Sequence, residues 1–216
     1  FAAFKAVGES VENPLLYFNN NLNSLINMLY CVQQFKVPHF VFSSSCTVYG
    51  NPDSIPVTEN TVFKPAESPY GSTKQMGEEI VRKTLENRKE HAAILLRYFN
   101  PVGAHPSGLI GEIPLGRPAN LVPAITQTAI GKLPQMQVYG SDYPTRDGSC
   151  VRDYIHVVDL AKGHVLAIEK YSEPGVNICN LGTGVGYSVL VIVKAFESVN
   201  GVKINYEIKD RRPGDI

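Results

Sequence analysis

With 216 residues, 44% of them hydrophobic, the chain can bury a sizeable core and should be globular, one domain plus part of another. Twenty basic side chains balance twenty acidic ones without aromatic–basic interleaving, which argues against nucleic acid as a partner, and no apolar run suits a bilayer, since even "LLYFNNNLNSLINMLY" carries five asparagines. Cys31, Cys46, Cys150 and Cys179 lie far apart with no secretion signal ahead of them, the usage of reduced thiols in a cytoplasmic protein.

The chain opens "FAAFKAVGES" without Met and closes on "RRPGDI" with no finishing element, as expected of a fragment. "VENPLLYFNNNLNSLINMLYCVQQFK" has Leu15, Phe18, Leu22, Leu25, Ile26, Leu29 and Val32 at helical spacing, and Pro14 suits a first turn. "HFVFSSS" follows as a short apolar run ending in hydroxyls, the composition of a buried parallel strand whose C-terminal end opens on a site. "PYGSTKQMGEEIVRKTLENR" returns to helix and "AAILLRYFN" to strand. The Gly/Pro-rich stretch 101–118 is the best candidate for a domain boundary. Beyond it, "PANLVPAITQTAIG" reads as helix and "MQVYG" as strand. "DYIHVVDLAKGHVLAIEKY" runs strand to helix, "VNICNLG" is strand, "SVLVIVKAFESVNG" is a helix closed by Gly201, and "INYEIK" is a last strand. Repeated alternation with continuous apolar strands predicts an α/β fold built on a doubly wound parallel sheet.

Tyr70 and Lys74 stand four apart near the start of the second helix, so a phenol and an ammonium share one face. A tyrosine with a pKa of about 10 is in the wrong state to act as a base near neutrality. A neighbouring ammonium favours the phenolate, and a cationic nicotinamide would act the same way. Such a pair also occurs by chance on exposed helices. Here, however, the serines at 43–45 end a strand of the same sheet, where a hydroxyl can hydrogen-bond a substrate oxygen beside the phenol.

Together with "FAAFKAVGESVENPLLYFNNN", "FSSSCTVYGNP", "SPYGSTKQMGEE", "LLRYFNPVGAHPSGLIGE", "VYGSDYPTRDGSCVRDYIHVVDLAKGH", "NLGTGVGYSV" and "RRPGD", these residues resemble the extended short-chain dehydrogenase/reductases, and within them the UDP-glucose 4-epimerases. The resemblance implies a partial Rossmann-type sheet over 1–101 and a smaller, incomplete sugar-nucleotide-binding α/β domain over 102–216, with the strand near 176–181 returning to the Rossmann sheet. It implies NAD as cofactor, Tyr70 as base, Lys74 on the nicotinamide ribose, and Ser45 assisting at the sugar 4-hydroxyl. A hydride is lent by the sugar and returned to its opposite face. Phe1, Lys5 and Tyr98 would lie along the cofactor.

The UDP-sugar would meet Ser45, Cys46 and Thr47, then Tyr98, Phe99 and Asn100. Farther on, Asn120, Leu121, Gln137, Val138 and Tyr139 would contact it. Arg152 and Arg212 would anchor the diphosphate, and Asp215 would accept from a ribose hydroxyl. An ion pair with Asp153 or Asp159 is the structural alternative for Arg152, and Arg211 reads as solvated surface. Relatives usually carry a small residue such as Ala at position 46 and a second asparagine at 119, where this chain has Cys46 and Ala119.

The resemblance further implies a homodimer through helices at 12–36 and 70–88. In relatives a glycine-rich βαβ unit precedes the segment with which this chain begins, so 1–216 alone is expected to be unstable and inactive. The residue that gates N-acetylated sugars is expected beyond Ile216. Two other readings stay open: a nucleotide-sugar 4,6-dehydratase or decarboxylase, and a non-catalytic dinucleotide-binding relative. The dehydratases put an acidic pair where Cys46, Thr47 and Val48 stand. "NLGTGVGYS" offers Gly182 and Gly184 to a dinucleotide fingerprint but has Tyr187 at its third position, so it reads as a structural turn. No histidine spacing builds a metal site, and His156 reads as support for the fold.

Overall fold

A computed structural model describes residues 3–114 and 116–212. The chain divides into two compact units, the first taking in the chain up to Phe99 and Asp159–Leu181, the second Asn100–Val158 and Gly182–Arg212. It is α/β with parallel strands, as the alternation of patterns predicts.

The first unit starts with α1 (Val7–Glu12), which the apolar period does not reach, and α2 (Pro14–Gln34), the helix expected with Pro14 in its first turn. Asn13, at φ −129°, separates them, because the ring of Pro14 disfavours helical geometry in the residue before it. Strand β1 (His39–Ser45), helix α3 (Pro69–Leu85) and strand β2 (Ala92–Tyr98) follow, with a 3-10 turn at Cys46–Tyr49 after β1. Ser68 caps α3 by accepting from the Gly71 N–H at 3.1 Å, and Pro69 occupies the first turn.

After an excursion through the second unit the chain returns within helix α5 (Val157–Lys170) and ends this unit on β6 (Gly175–Leu181). The strands form one parallel sheet in the order β1-β2-β6, with Ser45 opposite Tyr98 and Tyr98 opposite Leu181. Strand β2 is central and buried from Ala92 to Arg97, hence its unbroken apolar run. One face packs Ala93 and Leu95 against Leu25 and Leu29 of α2 and Val81 and Leu85 of α3. The other packs Ile94 and Leu96 against Ala167 of α5. Asn21 of α2 joins the unit's opening segment to α3. It accepts from the Phe4 N–H at 2.9 Å and donates both to the Phe4 carbonyl and to Thr73 Oγ1.

The second unit holds β3 (Asn100–Val102), α4 (Leu121–Ala129), β4 (Met136–Tyr139), β5 (Val151–His156), β7 (Gly186–Ser188), α6 (Val189–Asn200) and β8 (Tyr206–Lys209). Strand β5 pairs in parallel with β3 and antiparallel with β7, while β4 pairs in parallel with β8. The run "AAILLRYFN" is thus two strands in different sheets, interrupted at Phe99. Ile125, Met136, Val138, Val193 and Ile204 make this unit's core. Ser188 caps α6, and Gly201 ends it at φ +63°, the left-handed geometry glycine tolerates.

Candidate active site

The C-terminal ends of β1 and β2 meet the first turns of α3, and four hydroxyls and an ammonium gather there. Tyr70 hydrogen-bonds the Ser45 side chain, and Tyr98, from the neighbouring strand, bonds that of Ser43. Ser45 Oγ also accepts from the Thr47 N–H at 3.3 Å, which fixes the turn that follows β1. Lys74 is 6% exposed, and its Nζ donates to the Ser43 carbonyl at 2.8 Å. The ammonium lies 5.6 Å from the centroid of the Tyr70 ring and 5.1 Å from that of Phe42. Helical spacing accounts for the pairing, since Tyr70 and Lys74 are one turn apart.

Burial governs how these groups titrate. It pushes the Tyr70 phenol up to about 12, against which the Ser45 hydrogen bond pulls down, while Tyr98 and Cys46 push further up. Burial also brings the Lys74 ammonium down to about 8. Tyr98 is raised by burial and pulled back by Ser43. The sequence predicts a phenol lowered by its lysine. Loss of hydration is instead the largest influence on the phenol, and it acts in the opposite direction.

The donor set fits the ribose end of a dinucleotide. A buried ammonium has three N–H donors, and Ser43 takes one of them. Thr47 Oγ1 is buried with no hydrogen-bond partner among the described residues, the state of a group whose acceptor or donor arrives with a ligand. Cys46 is half-buried between Ser45 and Thr47. Lys5 is exposed beside Phe4. Phe1 and Asp215 lie outside the described residues. Phe99 is half-buried and its N–H bonds the Leu181 carbonyl at 3.2 Å.

The other candidates belong to the second unit. Arg212 donates from Nη1 to the Ala119 carbonyl at 3.3 Å and lies 4.7 Å from the Tyr139 ring centroid. Tyr139 Oη in turn donates to Gln137 Oε1 at 2.5 Å. Arg212, Tyr139 and Gln137 thus form one linked group against Ala119, at the edge of α4. Asn120 is exposed at the start of α4 and donates to Glu112 at 3.0 Å, and Leu121 is half-buried one residue on. Val138 does not share their face: it is 1% exposed in the core, so only its backbone is available to a ligand. Asn100 is half-buried in β3. Arg152 Nη1 bonds the Val151 carbonyl at 2.8 Å.

Two readings of the sequence are sharpened here. The amides of Thr183 and Gly184 both donate to the Asp153 carboxylate at 2.8–2.9 Å, so the turn "NLGTGVGYS" spends its N–H groups inside the protein. Arg211, read as solvated surface, is exposed, and there it pairs with Asp142 at 2.8 Å and stacks 4.0 Å from the Tyr143 ring centroid. His156 lies against Gly103, where a Cβ would come within 2.6 Å of the imidazole Nε2. Among the described residues no group of three His, Cys, Asp or Glu side chains is placed to hold a metal ion. Ser43, as the partner of Tyr98, was not singled out by sequence reasoning, although it stands two residues before Ser45 on the same side of β1.

Residues 1–182 match the NAD dependent epimerase/dehydratase family. The UDP-glucose 4-epimerases of Pasteurella multocida and Bacillus subtilis are each 55% identical over 217 aligned residues, covering 100% of this chain. The chain spans 64% of the length of these curated relatives. The crystal structure of UDP-glucose 4-epimerase from Bifidobacterium longum, in complex with NAD+ and UDP, superposes with a TM-score of 0.97 at 53% identity, covering 100% of this chain and 64% of that one.

Proposed function

We propose that this chain, which belongs to the NAD dependent epimerase/dehydratase family, is part of an NAD-dependent UDP-glucose 4-epimerase that interconverts UDP-galactose and UDP-glucose in galactose metabolism. The observation that carries the reading is the convergence of Ser45, Tyr70 and Lys74 at the ends of β1 and α3. The identity of relatives named for this reaction supports it. NAD, when bound, supplies the hydride acceptor and donor and, in its oxidised form, the positive charge that favours a phenolate.

In this reading Tyr70 Oη takes the proton of the sugar 4-hydroxyl and returns it after the keto sugar has turned. Ser45 Oγ, already bonded to the phenol, orients the same oxygen. Lys74 holds the ribose with the N–H groups that Ser43 leaves available, and its charge opposes the effect of burial on Tyr70. Turning requires a sugar held loosely and a diphosphate held tightly. We assign the tight hold to Arg152 and Arg212, with Tyr139, Gln137 and Asn120 on the nucleotide, since guanidinium groups suit phosphate. Incubated with UDP-galactose, the full-length protein is expected to yield UDP-glucose, at a rate that added NAD does not lower. No conversion with NAD present would overturn the assignment.

We also assign a homodimer, through α2 and α3, and a cytoplasmic location. Ile26, Tyr30 and Met76 are exposed on these helices, at 37%, 66% and 47%, and a groove between the helices is lined by Ile26, Leu29, Tyr30 and Ile80 together with Lys83 and Thr84. Apolar surface of that kind is characteristic of an interface. Ile26→Arg with Met76→Arg places charge in it and is expected to give the monomer mass by sedimentation. A dimer that persists would place the interface elsewhere. The cytoplasmic assignment rests on four free thiols. No described helix is long and apolar enough to cross a membrane.

A further inference from the structure

One turn beyond Lys74, α3 carries a third polar side chain on the same face. Glu78 is 2% exposed, and its carboxylate is held from two strands. Arg97 of β2 grips it with Nε at 2.9 Å and Nη2 at 2.7 Å, the two-pronged geometry in which guanidinium and carboxylate match. Ser44 of β1 donates a short hydrogen bond to Glu78 Oε1. Arg97 is itself fixed: its guanidinium lies 5.1 Å and 4.7 Å from the ring centroids of Tyr49 and Phe63, and Nη1 donates to Tyr49 Oη and the Glu59 carbonyl.

The contacts between β1 and α3 are close-set. Three consecutive strand residues, Ser43, Ser44 and Ser45, meet Lys74, Glu78 and Tyr70, helical residues spaced one turn apart. Gly77 permits the approach, because a Cβ there would lie 2.6 Å from Phe42 Cζ. A buried ion pair of this kind is a poor device for stability alone, since apolar side chains of similar volume often fill such a space as well or better. What it adds is direction, because a bidentate pair tied to a strand hydroxyl has one seat.

We propose that Glu78 and Arg97 are positioning residues, whose ion pair, tied to Ser44, sets where α3 lies along β1 and so holds Lys74 on the Ser43 carbonyl and Tyr70 on Ser45. The catalytic consequence rests on the epimerase reading, whereas the geometric one does not. A misplacement of about 1 Å at reacting groups costs roughly 100-fold in rate.

The test replaces both partners at once, Glu78→Met with Arg97→Met in the full-length protein, so that no buried charge is left unpaired. Lys74 reports on the seat of the helix without substrate or cofactor, since it titrates at about 8 because it is buried, and the titratable group facing it is the Tyr70 phenol. By NMR of lysine-labelled protein, its midpoint is expected to move up from about 8 toward the ordinary value near 10.5, while kcat falls about 100-fold with little change in KM. A folded double variant in which Lys74 titrates as in the parent overturns the proposal. Should the double variant not fold, Ser44→Ala decides by the same two readouts, because it removes only the tie between β1 and Glu78. An unmoved midpoint together with unchanged kcat then overturns it, and a smaller shift of both in the stated direction supports it. A parent protein that does not epimerise UDP-galactose removes the functional reading alone, and the Lys74 titration still decides the positioning role.

Discussion

Tyr70→Phe in the full-length protein is expected to lower kcat by about 10²–10⁴-fold, the contribution of a positioned general acid or base, with KM and the urea midpoint little changed. The ring keeps its place because α3 is capped by Ser68 and seated through Lys74 and Glu78, none of which involves the phenol oxygen. Ser45 loses one partner but still accepts from the Thr47 N–H. The only group withdrawn is therefore the one assigned to move the proton. No other side chain of this cluster is placed to take over the proton. Lys74 is bound to a carbonyl and the serines have no base of their own. The measurement is the steady-state conversion of UDP-galactose by parent and variant. An unchanged rate would remove Tyr70 from the mechanism.

Helical and strand periodicity made most elements legible, and the exceptions share a cause. Helix α1 escapes pattern because six residues, Val7–Glu12, are too few to show a period, although Pro14 marks the start of α2 that follows it. The separation of β2 from β3 is invisible to pattern because β3 is only three residues, Asn100–Val102, and the break falls on one residue, Phe99. At the site, the Tyr70 and Lys74 pairing was readable because four-residue spacing fixes a shared face, and Ser45 because strand ends of a parallel sheet converge. The direction of the Tyr70 shift was not readable, since it depends on how much water the folded chain removes. Nor were the partners of Glu78, although Tyr70, Lys74 and Glu78 follow one another at four-residue steps. A carboxylate at the third step is ordinary helix surface until Arg97, 19 residues later, is brought beneath it by the sheet. The Asp153 bonds to Thr183 and Gly184 show the same limit across 30 and 31 residues.

The seat of Lys74 carries a cost that a second variant exposes. Its ammonium is 6% exposed and burial lowers it from 10.5 to about 8, so keeping it charged at neutral pH opposes folding by about 3 kcal/mol, at roughly 1.4 kcal/mol per unit. Lys74→Met fills the same volume without a charge. Against this gain stands the lost hydrogen bond to Ser43, worth about 1.5 kcal/mol for a charged donor, so the variant is expected to be more stable than the parent by about 1–2 kcal/mol at pH 7. The advantage depends on pH in a definite direction. Between about 8 and 10.5 the unfolded chain still binds the proton that the folded chain has released, so parent stability climbs with pH across that window. The variant has no such group, so the gap is expected to close by pH 10. Urea midpoints of both proteins at pH 7 and pH 10 measure it. A variant less stable at pH 7, or a gap independent of pH, would show that Lys74 is not held as a buried cation. Activity is expected to move the opposite way, falling about 10²–10³-fold as when one preorganised donor is removed from a reacting centre. A gain in stability joined to a loss of turnover is what separates a lysine kept for its charge from one kept for its packing.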